Sequence, residues 1–384
     1  MEAYLDCNST TPLDPRVFEA MKPFLTGRFG NASSFHQKGQ AARHGVEEAR
    51  EKIADFLGVE PGDLVFTSGG TEADNLAVKG AMESLGPKRR HLVVSAIEHQ
   101  AVLDAARNLK EKGYAVTFVP AGADGVVKPD AIKNAVTDQT ALVSVMHANN
   151  ETGAIQPVQE ISKIARARGA LFHTDAVQSL GKIPIDIEAI GADLLSVSAH
   201  KIYGPKGAGA LYIRKGVKLK ALTHGGHQEK NIRPGTENVA GIVGFGKAVE
   251  LVAGQYQKDM EKARALRDRL EKELLKKLAP VRVNGDEARR VPNTLNVSFE
   301  GLDGETLLMN LDLKNIYVST GSACTAGSVE PSHVLLAMGI PEGLARAAIR
   351  FSLGRFTTEA EIDYALAEIP PIVERLRKAA THAH

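Results

Sequence analysis

The sequence predicts an α/β protein with a large domain on a mixed, mostly parallel sheet and a smaller C-terminal α/β domain. Three observations predict it. Between about residue 15 and residue 250, short apolar runs alternate with helical patterns, the pattern of a largely parallel sheet covered by helices. Residues 256–278 then form a charged amphipathic stretch in which Leu266, Leu270, Leu274 and Leu278 recur at i+4 on one face. Beyond it, strands and helices alternate again.

In chain order, the strand candidates of the large domain are 64–67, 91–95, 115–119, 141–145, 171–174, 194–197 and 209–213. Helical patterns between them include 73–83, 101–112 and 158–168. The boundary is placed near Gly254, just before the amphipathic helix. Downstream, 294–299 and 347–352 read as strands, and Thr358 followed by Glu361 looks like a capping box opening the last helix. The expected division is a large domain over 13–255 and a small domain formed by 1–12 and 256–384, the first dozen residues being extended and docking on the latter.

Composition narrows the classes. With 43% hydrophobic and 24% charged residues the chain is ordinary for a globular protein. A formal net charge of +1 gives no reason to expect nucleic acid or an anionic membrane as partner. No apolar run approaches the ~20 residues of a membrane span, and Met1 to Asp6 lack the features of a signal peptide. Two cysteines, Cys7 and Cys324, are no disulfide framework, and a reducing, cytoplasmic setting is expected. His224, His227, His382 and His384 lack metal-ligand spacing, so no metal site is expected.

The chemistry gathers around Lys201. The apolar run ending at Ser198 leads into Ala199-His200-Lys201-Ile202-Tyr203-Gly204. A lysine just past a buried strand lies where open α/β sheets bind ligands, and a desolvated amine can form a Schiff base with a carbonyl compound. A solvated surface lysine is the alternative. Thr67-Ser68-Gly69-Gly70-Thr71 runs from a strand through two glycines into a helix, a natural phosphate cradle, or else an ordinary helix start capped by Thr71 with Asp74. Asp175, at a strand end, suits a cationic ring nitrogen, and Gln178 can donate to a phenolate-like oxygen. Asp175 could equally cap a helix. His99 can stack on a ring or carry a proton, or simply pack. Asn149-Asn150 can address a carboxylate or form a turn. Together these groups meet the binding requirements of pyridoxal 5'-phosphate, an electron sink for carbanion chemistry.

Ser198-Ala199-His200-Lys201-Ile202-Tyr203-Gly204-Pro205-Lys206-Gly207 and Ser319-Thr320-Gly321-Ser322-Ala323-Cys324 carry a specific resemblance. So do Tyr4-Leu5-Asp6 with Thr10-Thr11-Pro12, and the run from Ile349 to Thr357. Over nearly its whole length the chain resembles the cysteine desulfurases of the NifS/IscS type, in the class V aminotransferase group, which have the fold type I architecture of pyridoxal-phosphate-dependent transferases. The resemblance implies that Lys201 carries the Schiff base, Asp175 meets the pyridine nitrogen, Gln178 meets the ring oxygen and His99 stacks on the ring. It gives Gly70, Thr71, Ser198 and His200 to the phosphate, and Thr236 to the phosphate of a neighbouring subunit, hence a homodimer. Asn150 and Arg350 are implied to hold the substrate carboxylate, and Cys324 to accept sulfur from L-cysteine as a persulfide, leaving alanine and passing the sulfur to an iron–sulfur scaffold or another acceptor protein. Cys7 departs from the family pattern and is read as structural.

Independent support exists for two of these. Arg350 lies on an apolar strand-like run that would fix its guanidinium for bidentate carboxylate recognition. Cys324 sits in a run of small residues with two glycines, which leaves a thiol uncovered. Competing readings are selenocysteine lyase activity at the same site, a generic aminotransferase, a nucleotide hydrolase using the Gly69-Gly70-Thr71 turn, and a non-catalytic scaffold for cluster-assembly proteins.

Overall fold

The computed structural model describes residues 1–85, 89–320 and 330–381. Its first part comprises β1 (Ala3–Tyr4), α1 (Pro15–Leu25), α2 (Gln37–Leu57), β2 (Leu64–Thr67), α3 (Gly70–Ser84), β3 (His91–Ser95), α4 (Gln100–Glu111) and β4 (Ala115–Val119). The chain continues through α5 (Pro129–Ala135), β5 (Thr140–Ser144), α6 (Val158–Ala167), β6 (Leu171–Asp175), α7 (Ile187–Ile190), β7 (Leu194–Ser198), β8 (Gly209–Ile213) and α8 (Val239–Ala253). The remainder is α9 (Tyr256–Lys277), β9 (Val281–Val283), β10 (Thr294–Phe299), α10 (Gly304–Asp312), β11 (Ile316–Tyr317), α11 (His333–Ala337), α12 (Glu342–Arg346), β12 (Ala348–Ser352) and α13 (Glu359–Thr381).

Seven strands form the main sheet in the order β2-β8-β7-β6-β5-β3-β4. The β4-β3-β5-β6-β7 ladder is parallel, and β8 runs antiparallel to both its neighbours. Strand β2 therefore points the same way as β7, and the carboxyl ends of β2, β3, β5, β6 and β7 share one edge. The expected mixed, mostly parallel sheet is present.

Burial on both faces explains the near-continuous apolar strands. Alternate residues feed two cores: Leu64, Phe66, Phe172, Leu195, Val197 and Ala210 face α2, α6 and α8, while Val65, Leu142, Leu194 and Leu211 face α3 and α4. A third core gathers Leu266, Leu270 and Leu274 of α9, Leu295, Val297 and Phe299 of β10, Ile349 and Phe351 of β12, and Ile362, Ala365 and Ile369 of α13. The i+4 leucine stripe thus packs on the small sheet, of order β12-β10-β9.

The N-terminal stretch binds the two sheets' surroundings together. Strand β1 pairs in parallel with β11, and Ala3 and Leu5 join the third core. Cys7 N–H bonds Ser352 O at 2.9 Å. A few residues on, Thr11 N–H bonds His200 O and Asp14 N–H bonds Tyr203 O, both at 3.0 Å. Residue 8 lies at the crossing. Cys7 itself is buried, with its thiol pushed up to about 12 by burial.

Boundaries differ from the sequence expectation in small ways. The strand expected at 141–145 is Thr140–Ser144. The helix expected from residue 73 begins at Gly70, because Gly69 is its cap, and glycines carry a low helix propensity that hides such a start. Thr358 and Glu361 do form the expected capping box: Thr358 N–H meets Glu361 Oε2 at 2.7 Å and Glu361 N–H meets Thr358 Oγ1 at 3.2 Å. Among the described residues, no helix is long and apolar enough to cross a membrane.

Candidate active site

Five strand ends deliver their polar residues to the shared carboxyl edge, where open α/β sheets bind ligands. Strand β7 ends at Ser198, and a single 3-10 turn, Ala199–Lys201, follows. That turn projects Lys201, whose Nζ donates to the carbonyls of Asn8 at 2.5 Å and Ser9 at 2.7 Å. The lysine is therefore a built-in part of the site and not a solvated surface side chain.

Strand β2 runs through Ser68 and Gly69 into α3. Bare backbone is required here: a Cβ at Gly209 would stand 2.7 Å from Gly69 Cα, and one at Gly70 2.9 Å from Val177 Cγ2. The first intrahelical bond of α3 is Ala73 N–H to Gly69 O at 3.1 Å. The N–H groups of Gly70, Thr71 and Glu72 precede it and have no intrahelical acceptor. Gly69 lacks a side-chain cap bond, so the reading of Thr71 with Asp74 as a cap fails. Asp74 is instead buried below the site. Ser198 lies beside this turn, its Oγ 3.9 Å from a Cβ built on Gly69, and that hydroxyl is buried without a partner among the described residues.

Asp175 ends β6. Its Oδ1 accepts the Val177 N–H at 2.8 Å, closing a turn and capping no helix. Burial holds its carboxyl up at about 6, against the pull of that N–H and of the Lys201 charge. Gln178, one turn on, donates from Nε2 to Asn8 O at 3.0 Å. Since Asn8 O also receives Lys201 Nζ, the glutamine amide and the lysine sit side by side.

His99 is the N-cap of α4, its Nδ1 accepting the Ala101 N–H at 3.1 Å. Burial, then the Lys201 and His333 charges, push it down to about 4. The ring is neutral near pH 7, and the Nδ1 bond leaves its proton on Nε2.

Arg350 sits on β12, buried. Its Nη2 donates to Asp6 Oδ1 at 2.8 Å and Ser9 Oγ at 2.7 Å, and its Nη1 to Asn150 O at 3.1 Å. Two polar atoms at this corner, Arg350 Nε and Asn150 Oδ1, are buried without partners among the described residues. Ser9 touches both Arg350 and Lys201, so a carboxylate on the guanidinium lies close to the amine. Asn149 has a different role: its Oδ1 accepts the N–H groups of Glu151 and Thr152, both at 2.9 Å, which is the turn alternative.

His200 turns its Nδ1 to Thr10 Oγ1 at 3.1 Å, and burial, with the charges of Lys201, Lys206 and Lys182, pushes it down to about 4. Thr71 and Thr236 are both exposed. Thr236 lies on a loop whose Arg233 pairs with Glu72, in the first turn of α3, at 2.8 Å. Cys324 lies outside the described residues. The chain flanking it is anchored at the site: Ser319 exchanges backbone bonds with Arg350, Ser332 Oγ donates to Glu151, and His333 Nε2 meets Glu98 O at 2.9 Å.

Several contributors were missed from sequence. Asn8 is the hub of the site, touching Gln178, Lys182, Lys201, Asn150, Asn293 and Thr294. Lys182 follows Gln178 at i+4, a spacing that could have drawn attention to it. Behind Asp175 lies a buried polar layer of Asp74, Glu98 and His173, which sequence could not assemble because its members come from three separate elements.

These observations test whether the site fits pyridoxal phosphate. An orphan hydroxyl and unspent helix N–H groups suit a phosphate, a buried carboxylate suits a ring cation, and a lysine stands beside it. They fit. The aminotransferase class-V family profile matches residues 3–365. The chain belongs to that family. It is therefore a pyridoxal-phosphate enzyme of the class-V group. A cysteine desulfurase IscS of Dictyoglomus turgidum is 50% identical over 376 residues, covering 98% of this chain and 95% of the relative. A NifS-like protein of known structure superposes with a TM-score of 0.92 at 40% identity, covering 98% of this chain and 100% of that one. The structure of SspA in complex with cysteine matches with a TM-score of 0.83 at 37% identity, over 93% of this chain and 100% of the other.

Proposed function

We infer that this class-V enzyme is a cysteine desulfurase, converting L-cysteine to L-alanine and taking the sulfur onto Cys324. The observation that carries the reading is the convergence of Lys201, Gln178, Arg350 and Asn150 on Asn8 and Ser9, with Asp175 near enough to respond to the Lys201 charge, which sets an amine beside a carboxylate-binding guanidinium.

Pyridoxal phosphate, when bound, supplies the sink for the electron pair released at the substrate Cα. The phosphate falls to the N–H groups at Gly70 and Thr71, to the hydroxyls of Thr71 and Ser198, and to His200. Asp175 stays ionised once it faces a cationic ring nitrogen, since the opposing charge offsets its burial. Gln178 would donate to the ring oxygen, and His99 would hold the ring from one side. Arg350 and Asn150 hold the substrate carboxylate, fixing Cα within reach of Lys201 Nζ, which takes and returns the proton there. The Cys324 thiolate attacks the substrate sulfur: an S–S bond forms, the substrate C–S bond breaks, and the electron pair stays with the carbon fragment, which takes protons to become alanine. His99 is proposed as a proton shuttle for these steps, a role that uses its imidazolium form, since the neutral ring only donates a hydrogen bond from Nε2. The persulfide passes to an acceptor thiol, and a thiol reductant releases it as sulfide. An iron–sulfur scaffold is the proposed acceptor, the cytoplasm the proposed setting, and a homodimer the proposed assembly, with Thr236 reaching the neighbouring phosphate. The division into 13–255 and 1–12 with 256–384 is offered in the same sense: the third core draws only on the second unit, while Val334, Leu335, Met338, Ile340, Ala345 and Ala348 of that unit pack into the first core.

The test compares wild type and Cys324→Ala, both loaded with pyridoxal phosphate, given L-cysteine and a thiol reductant. Equal alanine and sulfide from wild type, with a spectral response but neither product from the variant, is expected. Full activity in the variant overturns the role of Cys324.

A further inference from the structure

We propose that Lys182 is a positioning residue of the cofactor site: its Nζ holds the side-chain oxygen of Gln178 and so turns the Gln178 N–H groups to the side where Lys201 lies. Lys182 is buried, 6% exposed. Its Nζ donates to Gln178 Oε1 at 2.6 Å and to Asn8 Oδ1 at 2.9 Å. Both partners are neutral amide oxygens. Among the described residues Lys182 forms no ion pair with an acid, and a buried cation without one is costly. A lysine kept under those terms does something a hydrophobic residue could not.

The geometry says what. A glutamine amide has two ends, and each is constrained here. The oxygen end faces Lys182, a group that can only donate when charged. The nitrogen end faces Asn8 O, the acceptor shared with Lys201. A flipped amide would set oxygen against oxygen at Asn8 and N–H against N–H at Lys182. One Gln178 N–H is spent on Asn8, and the second remains for the ring oxygen. Asn8 Oδ1 completes the brace by holding Lys182 from the N-terminal segment. The charges facing Lys182 are those of Lys201 and Arg350, the buried Cys7 thiol beside it being protonated, and burial with the two cations pushes its amine down to about 7. Around Lys201 itself, Asp175, His99 and His200 also respond to the charge.

The inference rests on Lys201 bearing the cofactor and Gln178 meeting its ring oxygen. The experiment follows visible absorbance against pH for the loaded wild type, Lys182→Met, Gln178→Ala and the double variant, with the thermal midpoint of each unloaded protein as a folding control. Losing the cation and the directed donor both leave more negative charge on the ring oxygen. The titration midpoint of the Lys201-bound chromophore is therefore expected to rise by about one unit in each single variant. The double variant should shift clearly less than the two shifts added together, as for residues acting through one another. An unshifted midpoint in Lys182→Met, or fully additive shifts, overturns the proposal. Should Lys182→Met not fold, Lys182→Gln, whose shorter side chain falls short of Gln178, is expected to shift the midpoint upward, and no shift there overturns it. Lys201→Ala separates the two levels: a chromophore that persists without Lys201 sinks the underlying reading, whereas its loss there with Lys182→Met unshifted sinks only the role of Lys182.

Discussion

At the scale of single residues, chemistry here depends on groups whose ordinary preferences are overridden by burial. Arg350 shows it best. Its guanidinium is fixed by Asp6, Ser9 and the Asn150 carbonyl, yet Nε has no partner among the described residues. Arg350→Lys keeps a charge but loses the fork. We expect KM for L-cysteine to rise on the order of 10- to 100-fold, the cost of about 2 kcal/mol of charge-assisted bonding, with a smaller change in kcat. An unchanged KM would remove Arg350 from substrate binding. Sequence marked Arg350, Lys201 and Asp175 because each is an ionisable residue next to an apolar strand run. It passed over Asn8, since an asparagine in a short polar stretch carries no signal until six partners from distant parts of the chain converge on it.

Elements are where local rules worked best. The alternation of strands and helices follows from residues within a few positions of one another, and so does the capping box of α13. Thr358 and Glu361 each satisfy the other's backbone N–H, and Glu361 Oε1 also accepts the Tyr4 N–H at 3.3 Å, tying the helix to β1. Thr358→Ala is expected to cost about 1 kcal/mol, read as a lowered midpoint in urea unfolding. A loss below about 0.3 kcal/mol would mean that tertiary packing alone holds the helix start. The start of α3 defied the same reasoning. Two glycines look like a loop, but Gly69 caps the helix at a φ of +152° that side chains disfavour, and Gly70 opens it where a Cβ would stand 2.9 Å from Val177 Cγ2.

Across the whole molecule, the buried polar layer under the cofactor site makes stability depend on pH. Burial pushes His173 down to about 3, and His147, His99 and His200 each to about 4. A histidine whose folded value is depressed binds fewer protons when folded, so its contribution is present above the unfolded value of about 6.5 and is lost as pH falls through that window. Glu98 has the opposite sign. Burial raises it to about 8, so its contribution is fully present below the unfolded value of about 4.3 and fades as pH rises to the folded one. The thermal midpoint of the cofactor-free protein is expected to drop from pH 6.5 to pH 4, and His173→Gln should make that drop shallower. An identical acid slope in the variant would show that His173 is not among the groups that titrate on unfolding.

The sequence by itself determined the element types, the strand-then-lysine and strand-then-diglycine motifs, and the leucine stripe of α9, because all of these are set by residues near in sequence. The tertiary structure alone decided the rest. Lys201 is held by two carbonyls from residues 8 and 9, Arg350 is shared between Asp6 and Ser9, and Asp74, Glu98 and His173 meet below Asp175. Contacts between residues far apart in the chain leave no periodic trace, and a buried charge takes its meaning from neighbours that only folding brings to it.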